Sequence, residues 1–320
     1  MSKKLKRGYT TGVHASFAFK SALQTFLATK TQATSKTNKM DNDDLDVTKG
    51  CEIIVSISSD KDDLELNSIE HKPYLLKNDI SILEVYAGLG VGVVTKDGLK
   101  PPKNHPAINP IPLKVMQDIF QSLEINEKKL FCNVSVTDGE TIAKETANAK
   151  VGVLGGISIL GTTGFVKPIS ATAYIDSIEQ ELNYAKANGY KKVIFTLGNS
   201  SYKKAVEMQE DGYIVEIGNF IYDGIILAVK LEFEDIKLIV GMGKLVKIAQ
   251  GFKNTHNRFG SIDFIVVQSW CDEDIKESLT IKGVREILGD SCGKFDILVK
   301  NKAQEKLFEW FSKNIEVIIC

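Results

Sequence analysis

Residues 151–168 read Val-Gly-Val-Leu-Gly-Gly-Ile-Ser-Ile-Leu-Gly-Thr-Thr-Gly-Phe-Val-Lys-Pro. The stretch begins with β-branched and aliphatic residues, which predict a buried strand. It then breaks into glycine turns, with the hydroxyl groups of Thr162 and Thr163 just before Gly164. Such a loop lets the backbone approach a ligand closely and offers hydrogen bonds. A tight turn between two domains is the alternative, and the missing Gly-Lys-Ser/Thr ending excludes a nucleotide-triphosphate loop.

The composition is that of a globular protein in a reducing compartment. The chain has 320 residues, enough for two domains, with 43% hydrophobic and 25% charged residues. A net charge of −1 gives no general basic field for nucleic acid. No apolar run approaches the roughly 20 residues that span a bilayer, and the N-terminus lacks a signal core. Five scattered cysteines indicate neither a disulfide framework nor a metal site, so we expect a cytoplasmic protein with reduced thiols.

A second glycine turn lies near the N-terminus. Gly8-Tyr9-Thr10-Thr11-Gly12 precedes apolar residues at helical spacing, so Thr10 and Thr11 are predicted at the start of a helix. Free N–H groups at that position favour anions, and a capped core helix is the alternative. His14 is expected on the surface of this helix. Residues 29–43 are mostly Thr, Lys, Asn and Gln, which predicts an exposed loop.

A third glycine-rich segment, at residues 88–94, alternates glycine with valine or leucine. This alternation predicts a strand with a close approach between backbones. The segment is superficially similar to a dinucleotide fingerprint, but it lacks the third spaced glycine and the helix that should follow. With a helix predicted after Pro112 and a strand at residues 131–136, it indicates an α+β domain over residues 1–168.

After Pro168 the pattern changes to strand, glycine turn and helix, repeated three times. The predicted strands lie at residues 193–197, 213–217 and 236–240. This repetition predicts a mainly parallel sheet with helices on its faces, here an α/β, Rossmann-like domain over residues 169–320. Ligands of such sheets bind at the carboxyl ends of the strands. The turn residues are therefore candidates for binding a ligand: Gly198, Asn199, Gly218, Asn219, Gly241 and Gly243.

The densest polar cluster follows the third repeat, between Gly251 and Arg258. It contains Thr255 and His256, and Lys244 precedes it on a predicted helix. Histidine is the side chain that changes charge near neutral pH, so His256 is the candidate catalytic residue. A capping or otherwise satisfied loop histidine is the alternative.

Taken together, these segments resemble the cobalt-precorrin-5B C1-methyltransferases, the CbiD family of anaerobic cobalamin synthesis. The similar segments are the glycine- and threonine-rich stretch 151–168, the Gly-Tyr-Thr-Thr-Gly turn, the Gly-Lys-Leu-Val-Lys run at 243–247 and Asn-Thr-His at 254–256. The resemblance extends from Gly8 to about Asp263. The chain departs from the family pattern at five positions: His14, Leu45, Lys49, Leu89 and Ser201.

The resemblance implies transfer of a methyl group from S-adenosylmethionine to C1 of cobalt-precorrin-5B, giving cobalt-precorrin-6A. The methyl donor is then expected at the glycine turns of the C-terminal sheet. Cobalt belongs to the substrate, so no protein-held metal is implied. Expected substrate contacts are Thr10, Thr11, Thr162, Thr163, Gly164, Lys244, Thr255 and Arg258. The cations available for the carboxylate arms of the ring are Lys167, Lys244, Lys247, Lys253 and Arg258.

Two other functions stay open at this point. The same glycine loops could serve another nucleotide- or phosphate-using transferase, although no complete phosphate loop is present. The departures from the family pattern also leave room for a non-catalytic tetrapyrrole-binding protein. Neither nucleic acid nor a membrane is an expected partner, and a homo-oligomer stays open.

Overall fold

The computed structural model describes residues 8–41, 47–161, 165–166, 171–275 and 280–320. The chain divides into two compact units, Met1–Ala171 and Thr172–Cys320. The N-terminal unit contains, in chain order, β1 Gly8–Tyr9, α1 Thr11–Thr29, β2 Ala33–Asn38, β3 Glu52–Ser58, β4 Tyr74–Lys77, β5 Ile82–Ala87, β6 Gly90–Val91, β7 Val93–Val94, α2 Pro110–Gln121, β8 Lys129–Val136, α3 Gly139–Ala143, β9 Val153–Leu154, β10 Gly156–Ile157 and β11 Phe165–Val166.

A five-stranded mixed sheet with the order β2-β3-β8-β5-β4 forms the centre of the N-terminal unit. Helix α1 packs on β3, where Ile53, Val55 and Ile57 alternate with more exposed residues. Phe19 and Phe26 supply the largest fully buried side chains of α1. The period of two in the strand and the helical spacing in α1 therefore bury one face of each element against the other.

The prediction of an exposed loop over residues 29–43 is wrong, because β2 lies within that segment. Strand β2 pairs antiparallel with β3 at the edge of the sheet, from Ala33 opposite Ile57 to Asn38 opposite Glu52. Its threonines are β-branched and suit a strand. Only Ala33 of this edge strand is buried, so the hydrophobic signal that identifies a strand is nearly absent from the sequence.

The close backbone approach predicted for the glycine–valine segment is confirmed. A Cβ atom at Gly90 would collide with the carbonyl oxygen of Val136, and one at Gly139 or Gly156 would collide with the backbone of Gly90. Strand β6 also pairs with β10 in parallel, at Gly90–Gly156 and Val91–Ile157. The three glycines thus let separate chain segments meet where a side chain has no room.

The C-terminal unit is built on a four-stranded sheet with the order β13-β12-β14-β15, in which every pairing is parallel. Its elements are α4 Ala171–Ala187, β12 Lys192–Thr196, α5 Asn199–Glu207, β13 Tyr213–Glu216, α6 Ile221–Lys230, β14 Asp235–Val240, α7 Met242–Ala249, α8 Phe264–Gln268, α9 Ile281–Leu288, α10 Cys292–Phe311 and β15 Glu316–Ile319.

Both faces of this sheet are covered by helices. Val193 and Phe195 of β12 join the main core with residues of α4, α6, α7 and α10. Ile194 of the same strand faces the other way, into a smaller core with Ala205 of α5 and Ile239 of β14. The central strands are therefore apolar on both faces, as strands of parallel sheets usually are. Within the described ranges, none of the helices has the length and apolar character that crossing a membrane requires.

Candidate active site

The carboxyl ends of β12, β13 and β14 lie along one edge of the C-terminal sheet, because the strands are parallel. We call this edge the rim. Gly198, Gly218 and Gly241 follow the three strands directly or within two residues, and all three glycines lie at the rim. Asn199 is the first residue of α5, Asn219 follows Gly218, and Gly243 is in the first turn of α7.

The strand order predicts a crevice at the middle of the rim. After β12 the chain continues to β13, which lies on one side of β12 in the sheet. After β14 it continues to β15, which lies on the opposite side. Helices that pack beside such a reversal diverge, and ligands of open α/β sheets bind in the gap between them. Gly198 follows β12 and Gly241 follows β14, so these two turn residues border the predicted crevice.

The glycines at this crevice open onto empty space. A Cβ atom built at Gly198, Gly241 or Gly243 would meet no heavy atom of the described residues within 4 Å. Gly198 has a φ of +150°, which L side chains rarely adopt, so its backbone requires glycine. Gly218 is different, because a Cβ there would approach the Tyr174 hydroxyl to 3.0 Å. The unobstructed part of the rim therefore surrounds Gly198 and Gly241.

Lys244 bridges the crevice. Its Nζ donates a hydrogen bond to the carbonyl oxygen of Leu197, at 2.6 Å, and so ties α7 to the end of β12. Burial lowers the pKa of Lys244 below its ordinary value, an effect opposed by the nearby Glu216 carboxylate. The bond to a carbonyl uses one of three ammonium protons, so the side chain retains donors for an anion.

Thr255 and Asn219 join the polar cluster to the rim. The Thr255 hydroxyl donates to Asn219 Oδ1 at 3.0 Å, and the Thr255 amide donates to the main-chain oxygen of Asn219 at 3.2 Å. Thr255 is buried. These two side chains therefore stabilise the loop, and their polar atoms already contact each other.

Lys247 organises the loop that follows. Its ammonium group donates to the carbonyl oxygens of Thr255 and Gly260 and to Asn257 Oδ1, at distances of 3.1, 3.0 and 2.8 Å. Lys247 is only 6% exposed, and burial lowers the pKa of its ammonium group. The sequence singled out this lysine as a cation for a substrate anion, but all three of its N–H groups are used within the loop.

His256 caps a short 3-10 helix at Asn257–Phe259. Its Nδ1 accepts a hydrogen bond from the Arg258 amide at 3.1 Å, and its own amide donates to Asn254 Oδ1 at 3.0 Å. A neutral imidazole that accepts at Nδ1 carries its proton on Nε2. The exposed face of His256 therefore presents an N–H donor, beside the exposed guanidinium of Arg258.

The rim segment is strongly cationic in a chain of net charge −1. Residues 241–262 contain four basic residues and no Asp or Glu. The basic residues are Lys244, Lys247, Lys253 and Arg258, and none of them forms an ion pair with a carboxylate of the described residues. Lys253 lies over the ring of Tyr222 at 4.1 Å and Arg258 over Phe259 at 4.7 Å. This concentration of charge favours an anionic ligand.

The remaining sequence candidates lie in the N-terminal unit. Thr10 caps α1, because its hydroxyl oxygen accepts from the Val13 amide at 3.4 Å. The Thr11 hydroxyl donates to Leu160 O at 3.2 Å and accepts from Leu160 N at 2.8 Å. These bonds hold the start of α1 against the chain just before Thr162. Thr162, Thr163 and Gly164 lie outside the described residues.

Changing Thr11 to valine should destabilise the N-terminal unit by about 1–3 kcal/mol, because the amide of Leu160 loses its partner. Chemical denaturation measures the change in the free energy of unfolding. Thr25→Val is the matched control, since Thr25 is exposed on the same helix and its hydroxyl donates to the carbonyl oxygen of Ser21, one turn earlier. Equal stability of the two variants would contradict this role of Thr11.

The comparisons with known proteins agree on one family. The sequence model of the CbiD family matches residues 23–168. A cobalt-precorrin-5B C(1)-methyltransferase from Thermoanaerobacter sp. is 36% identical in a match of 273 aligned positions, which covers 80% of this chain and 72% of that protein. The chain belongs to the CbiD family. The resemblance predicted from the sequence is thereby confirmed.

Other CbiD relatives match over similar spans. Proteins of the same name from Methanococcus aeolicus and Methanococcus maripaludis are 34% and 32% identical, and the matches cover 79% and 82% of this chain. They cover 64% and 74% of those two relatives, so the chain spans about two thirds to three quarters of their length. A crystal structure of a cobalamin biosynthesis protein (CbiD) from Archaeoglobus fulgidus is 24% identical, with a TM-score of 0.35, and the match covers 73% of this chain and 76% of that one.

Two of the departures from the CbiD pattern have structural explanations. His14 was expected on the helix surface, but it is buried: Nδ1 contacts Thr37 Oγ1 at 3.0 Å and Nε2 accepts from the Met40 amide at 3.2 Å. Burial lowers its pKa, and Lys39 adds to the effect. Ser201 accepts from the Leu197 amide and donates to Gly198 O, both at 2.8 Å. His14 therefore joins α1 to β2, and Ser201 stabilises the turn at the rim.

The other three departures differ in their surroundings. Leu89 is about half exposed and lines a cavity of about 820 Å³ in the N-terminal unit. Lys49 is exposed in a turn, and Leu45 lies outside the described residues. The cavity beside Leu89 is lined by Asp63, Glu65, Asp138 and Glu140 and by no lysine or arginine, so its charge is opposite to that of the rim.

Proposed function

We propose that this CbiD protein transfers a methyl group from S-adenosylmethionine to C1 of cobalt-precorrin-5B, giving cobalt-precorrin-6A. The observation that carries the proposal is the acid-free cationic segment 241–262, which lies at the open rim of a parallel sheet. The names of the curated relatives support the same reaction. We place the reaction in the cytoplasm, where the five free cysteines would stay reduced.

The methyl donor is proposed to bind at the rim between Gly198 and Gly241. Support comes from the space beside these glycines and from the reversal of strand order between β12 and β14. We accordingly interpret the C-terminal unit as a Rossmann-like domain. S-adenosylmethionine supplies an electrophilic methyl group, and an electron-rich ring carbon of the substrate can accept it without a covalent enzyme intermediate. The residues at the rim then need only to align the two reactants.

The corrinoid substrate is proposed to contact the cationic side chains of the rim. A ring with many carboxylate arms requires several positively charged donors, and Lys244, Lys253 and Arg258 provide them. The acid-lined cavity of the N-terminal unit would repel the same ring. Thr10, Thr162, Thr163 and Gly164 remain proposed as further substrate contacts, whereas the hydroxyl of Thr11 is already used by Leu160.

Incubating the purified protein with methyl-labelled S-adenosylmethionine and cobalt-precorrin-5B should yield a labelled corrinoid and S-adenosylhomocysteine in equal amounts. Mass spectrometry of the corrinoid and chromatography of the nucleoside measure the two products. Binding of the corrinoid without turnover would instead identify a non-catalytic tetrapyrrole-binding protein. Turnover of the donor with a different acceptor would support another transferase.

A further inference from the structure

Lys247 is a buried cation whose ammonium group contacts neutral oxygen atoms. It lies on α7 among core residues, and no carboxylate of the described residues forms an ion pair with it. Burying an ammonium group away from water is costly unless oxygen atoms replace the lost hydration. Here three oxygens do so, and all three belong to the loop at residues 255–260.

The three bonds fix the loop at its two ends and its middle. Thr255 is the first residue held, Gly260 is the last, and Asn257 lies between them in the 3-10 helix that His256 caps. Within the described ranges, no side chain of another helix or strand bonds to the outward side of the loop, where residues 256–259 are exposed. The conformation of the exposed residues therefore depends on a bond network that radiates from one buried ammonium group.

The outward side of this loop presents donors and positive charge. Arg258 contributes a guanidinium group, and His256 contributes an Nε2–H, because its Nδ1 is occupied by the Arg258 amide. The ring of Phe252 lies under the loop, with its centroid 5.8 Å from Lys247 Nζ. The positive charge of Lys247 is buried below these donors and has no carboxylate partner among the described residues, so it adds to the attraction for an anion.

We propose that Lys247 is the positioning residue of a carboxylate-binding loop at residues 255–260. It holds His256 and Arg258 in place for one carboxylate arm of the corrinoid, and its own charge strengthens that site from below. Direct contact between Lys247 and the substrate is excluded because its three N–H groups are already used. The identity of the carboxylate rests on the proposed function, whereas the ordering of the loop does not.

The ordering can be measured without any substrate, by limited proteolysis with trypsin. Lys253 and Arg258 are exposed cleavage sites on either side of Thr255. Changing Lys247 to methionine retains the length of the side chain but removes every donor. We expect cleavage after Lys253 and Arg258 to be about fivefold to tenfold faster in the folded variant, because cleavage follows local opening. Lys230→Met, which removes an exposed lysine at the end of α6, should leave this rate unchanged.

Steady-state kinetics test the role in binding. In Lys247→Met the KM for the corrinoid should rise about fivefold, while kcat and the KM for the methyl donor change by less than about twofold. Asn257→Ala removes one surface acceptor and should cause smaller changes in the same direction, which keeps the test available if Lys247→Met does not fold. Wild-type cleavage rates in both variants, or an equal rise in both KM values, would overturn the proposal. If the wild-type protein transfers no methyl group but its loop is protected from trypsin, the proposed function is refuted and the ordering of the loop by Lys247 is retained.

Discussion

Replacing Gly241 by valine should weaken binding of the methyl donor by at least about tenfold, a loss of about 1.4 kcal/mol in binding free energy. The fold should survive, because the backbone at Gly241 has φ −73° and ψ 150°, which valine adopts readily. A Cβ at this position also meets no atom within 4 Å in the part of the chain that the structure describes. The added isopropyl group would therefore occupy only the space that we assign to the donor.

Gly198 offers a less clean test of the same site. Valine at a φ of +150° would be strained by about 1–3 kcal/mol, so a loss of donor affinity there would mix a steric block with a distorted turn. At Gly241 the backbone tolerates valine, so a loss of donor affinity there reports the steric block alone. A side chain added at a glycine reports on the space beside it only where the backbone conformation also tolerates a side chain.

Isothermal titration calorimetry with S-adenosylmethionine and with S-adenosylhomocysteine measures the affinity, and thermal unfolding monitors the fold. Gly293→Val is the matched control, because Gly293 lies in the first turn of α10 and its Cβ would also meet no described atom within 4 Å. The rim would be excluded as the donor site if folded Gly241→Val bound the donor as tightly as Gly293→Val does.

The strands that form the rim could be predicted because they are continuous apolar runs ending in glycine. The predicted ranges 193–197, 213–217 and 236–240 match the observed strands β12, β13 and β14 to within one residue at each end. Buried parallel strands carry apolar side chains on both faces, so the hydrophobic signal is at its strongest there. The edge strand β2 lacks that signal, since its exposed residues are polar and only its pairing with β3 makes it a strand.

The roles of single polar residues could not be predicted in the same way. His14 and Lys247 lie on helices, and both sequence patterns are compatible with exposure. Their partners, Thr37 and Met40 for His14 and Thr255 to Gly260 for Lys247, are 8 to 26 residues away and are brought close only by the fold. The cap at His256 is local, because the amide from which it accepts lies two residues along the chain, and a capping histidine was the alternative that the sequence left open.

Two roles for His256 predict different kinetics. A general base must accept a proton from the substrate, and its removal typically lowers kcat by about 10² to 10⁴-fold. A carboxylate anchor must donate, and its removal raises KM when it binds the ground and transition states equally. The structure favours the anchor, because the bond from the Arg258 amide to Nδ1 leaves the proton on Nε2.

Changing His256 to asparagine should therefore raise the KM for the corrinoid by about tenfold or more and leave kcat within about twofold of the wild type. A hydrogen bond to a charged group is worth about 1.5–3 kcal/mol, which corresponds to roughly 10- to 100-fold in affinity. Asparagine is the informative replacement because its Oδ1 can accept from the Arg258 amide and retain the cap, while the outward Nε2–H donor is lost. His256→Ala removes both the cap and the donor, so its KM should rise at least as far and its loop should be cleaved faster by trypsin. Steady-state kinetics with corrinoid and donor varied separately, on folded variants, measure these effects. A fall in kcat of His256→Asn by a hundredfold, with KM unchanged, would establish the base and refute the anchor.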